Sequence, residues 1–129
     1  MVQRCDVSQL EHDEDVRLDS ACLIALYRDL GPLGAESVLS RAMSEIARRL
    51  DGLSEPYRSG CWRDLARNAR SLSAISEQVG MRALARVARD VASCATWGDA
   101  AGLGATLARL DRIAHRSLAA VWDMTGTDV

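Results

Sequence analysis

Apolar residues recur every three or four positions along most of this chain, and no segment alternates apolar and polar residues over a useful length. The first spacing places apolar side chains along one face of an α-helix, whereas strict alternation would predict a β-strand. The spacing predicts one short helix that ends at Gly31-Pro32, followed by four longer amphipathic helices. We therefore expect an all-α fold, an up-down-up-down four-helix bundle with a short extra N-terminal helix.

Capping residues and glycines set the predicted helix boundaries. Asp19 or Ser20 can cap the first helix and Asp99 can cap the last, because their side-chain oxygens accept hydrogen bonds from first-turn amides. Gly80 suits a left-handed C-terminal position between the third and fourth helices. The five predicted helices cover residues 20–30, about 34–50, about 56–79, 81–95 and about 100–121.

The domain organisation follows from where this periodicity begins and ends. Residues 1–17 have no lasting apolar period and are rich in acidic residues, so we expect an acidic, mobile N-terminal segment there. Residues 18–124 form the helical bundle, and residues 125–129 are expected to be a C-terminal tail. A length of 129 residues suits a single domain of this kind.

Composition narrows the range of possible functions. Apolar residues make up 48% of the chain, and all sixteen basic residues are Arg, so that no Lys is present. A Schiff-base lysine and a Walker-A phosphate loop are therefore excluded. Residues 1–20 carry a net charge of −4 and the rest carries +2, without the dense basic stripe and stacking aromatics expected of a nucleic-acid-binding protein.

The cysteines and the hydropathy indicate a cytoplasmic protein. The four cysteines form no Cys-x-x-Cys pair, and three are expected on apolar helix faces, where Cys behaves as a small hydrophobic residue. The sequence contains neither a secretion signal nor an apolar run long enough to cross a membrane. We expect reduced thiols and no membrane association.

The sequence shows no catalytic constellation, metal site or cofactor motif. The stretch from Glu11 to Asp15 could hold a divalent cation, but a solvated acidic segment is the simpler interpretation. His115 lies beside the apolar stripe of the last helix, and no Glu-x-x-His pair is present. We therefore expect no enzyme activity, no metal and no cofactor.

The third helix carries the clearest functional pattern. At about 100° per residue, its buried side contains Trp62, Leu65, Ala69, Leu72 and Val79. Its outer side carries three arginines at i, i+4 and i+7, a small residue and an acid: Arg63, Arg67, Arg70, Ala74 and Glu77. Such a cationic ridge could bind an acidic pocket of a partner, or it could be a solvated Arg-rich face.

The segment from Ala69 to Gly80, A-R-S-L-S-A-I-S-E-Q-V-G, resembles the signature of histidine-containing phosphotransfer (HPt) domains, A-H-x-L-K-G-x-[AS]-x-x-[ILV]-G. The five positions that match are Ala69, Leu72, Ser76, Val79 and Gly80. Together with the flanking helices, the similarity extends over roughly residues 17–122. It implies a helical bundle that binds the receiver domain of a response regulator, or a histidine kinase, through this helix face.

The departures from the family pattern lie at its functional positions. Arg70 stands where the family has its phospho-accepting His, Ser73 replaces the usual Lys, and Ala74 replaces a small Gly. A guanidinium stays protonated and is a poor nucleophile, so phosphoryl relay through Arg70 is not expected. The resemblance implies a non-relaying adaptor whose partner-binding residues are the following: Arg63, Arg67, Arg70, Ser73, Ala74 and Glu77.

Two other functions remain open at this point. His115, flanked by Arg112 and Arg116, could accept phosphate in an active phosphotransfer protein. Alternatively, the chain could be a structural or dimerisation bundle, with apolar residues near the C-terminus (Val121, Trp122 and Met124) extending an interface. The sequence does not determine the oligomeric state.

Overall fold

The computed structural model describes residues 18–125, with side chains described as far as Asp123. The predicted acidic segment of residues 1–17 and residues 126–129 of the predicted tail lie outside the described residues. Within the described chain there are α-helices and no β-strand. In chain order, the helices are α1 (Ser20–Asp51), α2 (Ser54–Ser59), α3 (Trp62–Gln78), α4 (Arg82–Trp97) and α5 (Ala100–Thr125).

Helix α1 consists of two arms separated by Gly31, whose φ of 76° and ψ of 169° are not helical. The break lies at the predicted Gly31-Pro32 boundary, and helix resumes directly after it instead of at about Gly34. Pro32 fits there because a proline at the start of a helix loses no intrahelical hydrogen bond. The second arm packs with α3 and α5, and α4 packs with both α3 and α5, which confirms the all-α four-helix bundle preceded by a short helix.

The predicted N-caps are confirmed at both ends of the bundle. Asp19 Oδ1 accepts a hydrogen bond of 3.1 Å from the Ala21 amide, and Asp99 Oδ1 accepts one of 2.9 Å from the Gly102 amide. Each cap satisfies an amide that has no partner within its own helix. Gly98 ends α4 in the left-handed conformation, with a φ of 71°.

The predicted third helix is wrong at its N-terminal end, where the structure has two helices. Gly60 adopts a left-handed φ of 78° and ends α2, and Cys61 follows it before α3 begins. The Cys61 amide donates to the Pro56 carbonyl at 2.9 Å, which closes the end of the short helix. As a result Cys61 is exposed, whereas Cys22 and Cys94 are half-buried on helix faces as expected.

The core is aliphatic, and alanines line much of the contact between α3 and α4. Leu65, Leu72 and Leu84 are fully buried, as are Ala69 and Ala88. Small side chains allow two helix axes to approach closely, and interdigitated aliphatic side chains fill the remaining volume. Every buried side-chain N or O atom of the described residues has a hydrogen-bond partner.

The turn between α3 and α4 is buried, and the start of α1 packs against it. Gly80 has a φ of +81° and accepts a hydrogen bond of 2.8 Å from the Asp19 amide. A Cβ atom on Gly80 would lie 3.1 Å from the Asp19 carbonyl oxygen and 3.3 Å from Cys22 Cβ. Both the conformation and the close approach of α1 therefore require glycine at this position.

No helix in the described part of the chain combines the length and the apolar character that a membrane span needs.

We predict that Gly80→Ala destabilises the bundle more than Gly98→Ala does. Both positions have a left-handed φ, for which a side chain costs about 1–2 kcal/mol. Only at Gly80 would the new methyl group also press against Asp19 and Cys22, since nothing lies within 4 Å of a Cβ at Gly98. Urea unfolding followed by circular dichroism measures both free energies of unfolding, and equal losses would contradict the close approach of α1.

Candidate partner-binding surface

Helices α3 and α4 are antiparallel and carry matching rows of arginine on their outer surfaces. Arg63, Arg67 and Arg70 lie at i, i+4 and i+7 on α3, and α4 has the same spacing. All six side chains are exposed. We call this surface the cationic face, which consists of Arg63, Arg67, Arg70, Arg82, Arg86 and Arg89.

Positive charge is concentrated on these two helices. With six arginines and three acidic residues, α3 and α4 together have a formal net charge of +3. The rest of residues 18–125 has a formal net charge of −1. The net positive charge of residues 18–125 therefore comes from the hairpin of α3 and α4, where it can attract an acidic partner.

Only three of the six arginines of the cationic face form ion pairs with carboxylates. Among the described residues, Arg67 pairs with Asp64 at 3.3 Å, Arg82 with Asp19 at 3.0 Å and Arg89 with Glu77 at 3.4 Å. The other three arginines have no carboxylate partner in the described part of the chain. Exposed pairs contribute only about 0–1 kcal/mol each, so an incoming acid can replace an internal one at little cost.

Arg70 lies in the middle of the cationic face, at a shallow groove between the two helices. Its Nη2 donates a hydrogen bond of 3.0 Å to Thr96 Oγ1, which holds the guanidinium across the groove. Trp97, at the end of α4, is 84% exposed beside it. We call this site the Arg70 groove, which is lined by Arg70, Arg89, Ala92, Ser93, Thr96 and Trp97.

The Arg70 groove has the chemistry of an anion site. A guanidinium binds a carboxylate or a phosphoryl group through two parallel hydrogen bonds, and two guanidinium groups line this groove. An exposed indole adds a flat apolar surface with one N–H donor. The groove can therefore accept an acidic group that projects from a partner.

The structure corrects the expected role of Ser73. Ser73 is only 5% exposed, so its side chain cannot contact a docked partner directly. Its Oγ donates to the Ala85 carbonyl at 3.0 Å and accepts from Arg89 Nη1 at 3.2 Å. Ser73 therefore joins α3 to α4 and orients Arg89.

Ala74 and Glu77 are exposed on α3, as predicted. Glu77 pairs with Arg89 across the hairpin, not with the arginines of its own helix. Of the six candidate site residues, five are thus at the surface and Ser73 lies beneath it.

Sequence reasoning missed the contribution of α4. Arg89, Thr96 and Trp97 lie beside Arg70 only because the Gly80 turn folds α4 back along α3. A signal was available, since residues 82, 86 and 89 repeat the arginine spacing of residues 63, 67 and 70.

The other candidate chemistry lies elsewhere. His115 is exposed on α5, and its Nδ1 is 2.8 Å from the Asp111 carbonyl oxygen. Because a carbonyl only accepts, this contact requires a proton on Nδ1. The predicted cluster around His12 lies outside the described residues, and residues 18–125 contain no group of three potential metal ligands.

Cys22 is a packed thiol. Burial raises the pKa of the Cys22 thiol, and the nearby Asp19 carboxylate raises it further. The Sγ–H group donates to the Gln78 carbonyl at 3.2 Å, next to the α3–α4 turn. These features favour the protonated thiol, which is not the reactive form.

Comparison with family models, with curated proteins and with solved structures found no match to this chain. The resemblance to HPt domains accordingly remains a hypothesis based on the residues from Ala69 to Gly80 and the helices around them.

We predict that Ser73→Ala lowers the free energy of unfolding by about 1 kcal/mol, because it removes the hydrogen bond between α3 and α4. Ser93→Ala is the matched control, since Ser93 is exposed on the same hairpin and its loss is expected to change stability by less than about 0.5 kcal/mol. Chemical unfolding of both variants measures the difference. A neutral Ser73→Ala would contradict the structural role assigned to this hydroxyl.

Proposed function

We propose that this chain is a non-relaying, HPt-like adaptor of a two-component phosphorelay, which binds a receiver domain or a histidine kinase through the cationic face. The observation that carries the proposal is the position of Arg70. The HPt pattern has its phospho-accepting His there, and the Arg70 side chain is exposed beside a second arginine, Arg89. The proposed partner surface thus centres on a fixed cation instead of an imidazole.

The chemistry of Arg70 favours binding over transfer. A guanidinium remains charged at all physiological pH values and has no lone pair available for attack on phosphorus. The same group forms strong, charge-assisted hydrogen bonds to carboxylates and phosphoryl oxygens. The resemblance implies a receiver partner, whose active pocket is lined with carboxylates around a divalent metal, so Arg70 would act as a bidentate anchor at its edge.

The rest of the cationic face would steer the encounter. Three of its arginines have no carboxylate partner among residues 18–125, and the hairpin carries a local charge of +3. Charge of this kind accelerates association with an acidic surface and makes the rate dependent on ionic strength. A competitor of this type would occupy the receiver surface and exclude the true phosphotransfer protein.

The test is binding to a panel of receiver domains and histidine kinases from the same cell. We predict that Arg70→Ala weakens binding to a cognate partner by about tenfold or more, the loss expected when a charge-assisted hydrogen bond is removed. Arg70→Lys keeps the charge without the planar fork and is expected to bind with intermediate affinity. Isothermal titration calorimetry or surface plasmon resonance gives the dissociation constants.

Arg112→Ala is the matched control, because Arg112 is exposed on α5, on a different helix from the Arg70 groove. It is expected to leave binding unchanged. Failure of the whole panel to bind, or equal effects of the two substitutions, would reject the proposal. Acid-labile phosphate on the wild-type protein that disappears in His115→Ala would instead support the active phosphotransfer alternative.

One observation favours the dimerisation alternative. Trp122 is 61% exposed at the C-terminal end of α5, whereas Val121 is buried in the core. The Trp122 side chain borders an apolar groove between α5 and the second arm of α1, together with Met43 and Leu118. A large aromatic group at such a groove is typical of protein–protein contacts.

If this groove is a self-association site, we predict that the wild-type protein forms dimers that Trp122→Ala converts to monomers. Trp97→Ala is the control, because Trp97 is also highly exposed but borders the Arg70 groove. Sedimentation velocity over a wide range of concentrations measures the oligomeric state. A wild-type protein that stays monomeric throughout would reject this alternative.

A further inference from the structure

The segment that precedes the bundle is opposite in charge to the cationic face. Residues 1–17 have a formal net charge of −3, and four of the five residues from Glu11 to Asp15 are acidic. The hairpin of α3 and α4 has a formal net charge of +3. The acidic segment and the cationic face are thus complementary in charge and similar in its magnitude.

The structure fixes the point at which this segment joins the bundle. Leu18 packs against the core, and the Asp19 amide donates to the Gly80 carbonyl at 2.8 Å. Asp19 Oδ2 lies 3.0 Å from Arg82 Nη2. The first described residues therefore lie at the α3–α4 turn, beside Arg82, the first arginine of the α4 row, and the acidic segment joins the bundle there.

The distances allow the acidic residues to reach the arginines. Residues 11–15 precede Asp19 by four to eight positions, a span of at most about 13–29 Å for an extended chain. Along the helix axes, Arg86 and Arg89 lie about 6 and 10 Å beyond Arg82. Arg70 lies a similar distance from the turn on α3, about 12 Å before Gln78.

An acid from the N-terminal side already pairs with this surface. The ion pair between Asp19 and Arg82 is the described contact nearest the segment, and the next acids toward the N-terminus are Asp15 and Glu14. With increasing distance from the turn, the next arginines that have no carboxylate partner among the described residues are Arg86 and Arg70. If the acids toward the N-terminus pair in turn with arginines progressively further from the α3–α4 turn, as Asp19 pairs with Arg82, the acidic run from Glu11 to Asp15 lies over the Arg70 groove.

We infer that residues 11–15 bind the cationic face of their own chain around Arg70, Arg86 and Arg89, and so compete with any acidic partner for that surface. Tethering gives the segment an effective concentration in the millimolar range without a large interface. Each exposed pair is weak and is screened by salt, so the occupied state is reversible. A partner that offers a denser cluster of negative charge displaces the segment.

The experiment places a nitroxide spin label on Cys5 of the full-length, ¹⁵N-labelled chain, with the other cysteines replaced as Cys22→Ala, Cys61→Ser and Cys94→Ala. We expect selective loss of amide signal intensity around Arg70, Arg89 and Trp97, relative to the exposed positions of α5. The loss disappears at high salt, and it disappears when the acidic run is neutralised as Glu11→Gln, Asp13→Asn, Glu14→Gln and Asp15→Asn.

The control removes the same number of charges elsewhere, as Asp29→Asn, Glu36→Gln, Asp51→Asn and Asp123→Asn on α1 and α5. This variant is expected to keep the signal loss around Arg70. Uniform broadening over the whole surface, or a pattern that the four N-terminal substitutions leave unchanged, would overturn the inference. Broadening of a ¹⁵N-labelled chain by a separate spin-labelled chain would show that the contact is intermolecular and would also overturn it.

A second measurement needs no cysteine substitution. The arginine Nε–H signals of Arg70, Arg86 and Arg89 in the wild-type chain are expected to shift when the four N-terminal acids are neutralised, while the signal of Arg112 stays in place. Unchanged signals would contradict the inference even if the cysteine variant failed to fold.

The inference does not depend on the proposed function, because neither measurement includes a partner. If a receiver also binds, the variant with a neutral N-terminal run should bind it more tightly than wild type does. Self-binding without any receiver binding would leave this inference intact and reject the proposed function. Receiver binding without self-binding would support the proposed function and reject this inference.

Discussion

The packing of Asp19 against Gly80 organises the surface of this bundle. Gly80 allows the chain to reverse between α3 and α4 with a φ of +81°, and it leaves room for the Asp19 carbonyl where a side chain would begin. The reversal brings the two arginine rows together. The contact with Asp19 attaches the start of α1 to the same turn, so the geometry of the cationic face and the position of the start of α1 both depend on Gly80, a residue without a side chain.

The composition of the core explains why the Arg70 groove forms between α3 and α4. The chain has no Phe, and buried alanines such as Ala69, Ala88 and Ala92 line α3 and α4. Helices that pack through alanine lie close together, so long side chains at the edges of the contact reach across it. Arg70 bonds to Thr96 and Arg89 bonds to Ser73, each from one helix to the other. A core of bulky aromatic residues would hold the helices further apart and separate these pairs.

Local features of the sequence were sufficient to predict the fold. Asp19 and Asp99 cap helices, and Gly31, Gly80 and Gly98 have the positive φ values that end or break them, because these effects depend on a few adjacent residues. The exceptions also have physical reasons. Gly60 breaks a segment whose apolar spacing continues on both sides, and periodicity alone cannot detect a left-handed residue within it.

The sequence predicted the part of the candidate surface that lies on α3 but not the part that depends on the packing of α4. Helical spacing places Arg63, Arg67 and Arg70 on one side of α3, and the structure shows all three exposed. Spacing within one helix contains no information about the neighbouring helix, so the burial of Ser73 and the proximity of Trp97 could be read only from the packing.

Because of the break at Gly31, the stability of the first arm of α1 differs from that of the rest of the bundle. Eleven residues precede the break, fewer than an isolated helix needs to be stable in water, and the non-helical glycine interrupts hydrogen-bond cooperativity with the second arm. Its order therefore comes from docking at the α3–α4 turn and from the burial of Leu23. On this arm Ile24 and Leu30 are 62% and 49% exposed, so much of its apolar surface remains in contact with solvent. Such a segment belongs to the low-stability end of the molecule, where opening is local and leaves the four-helix core intact.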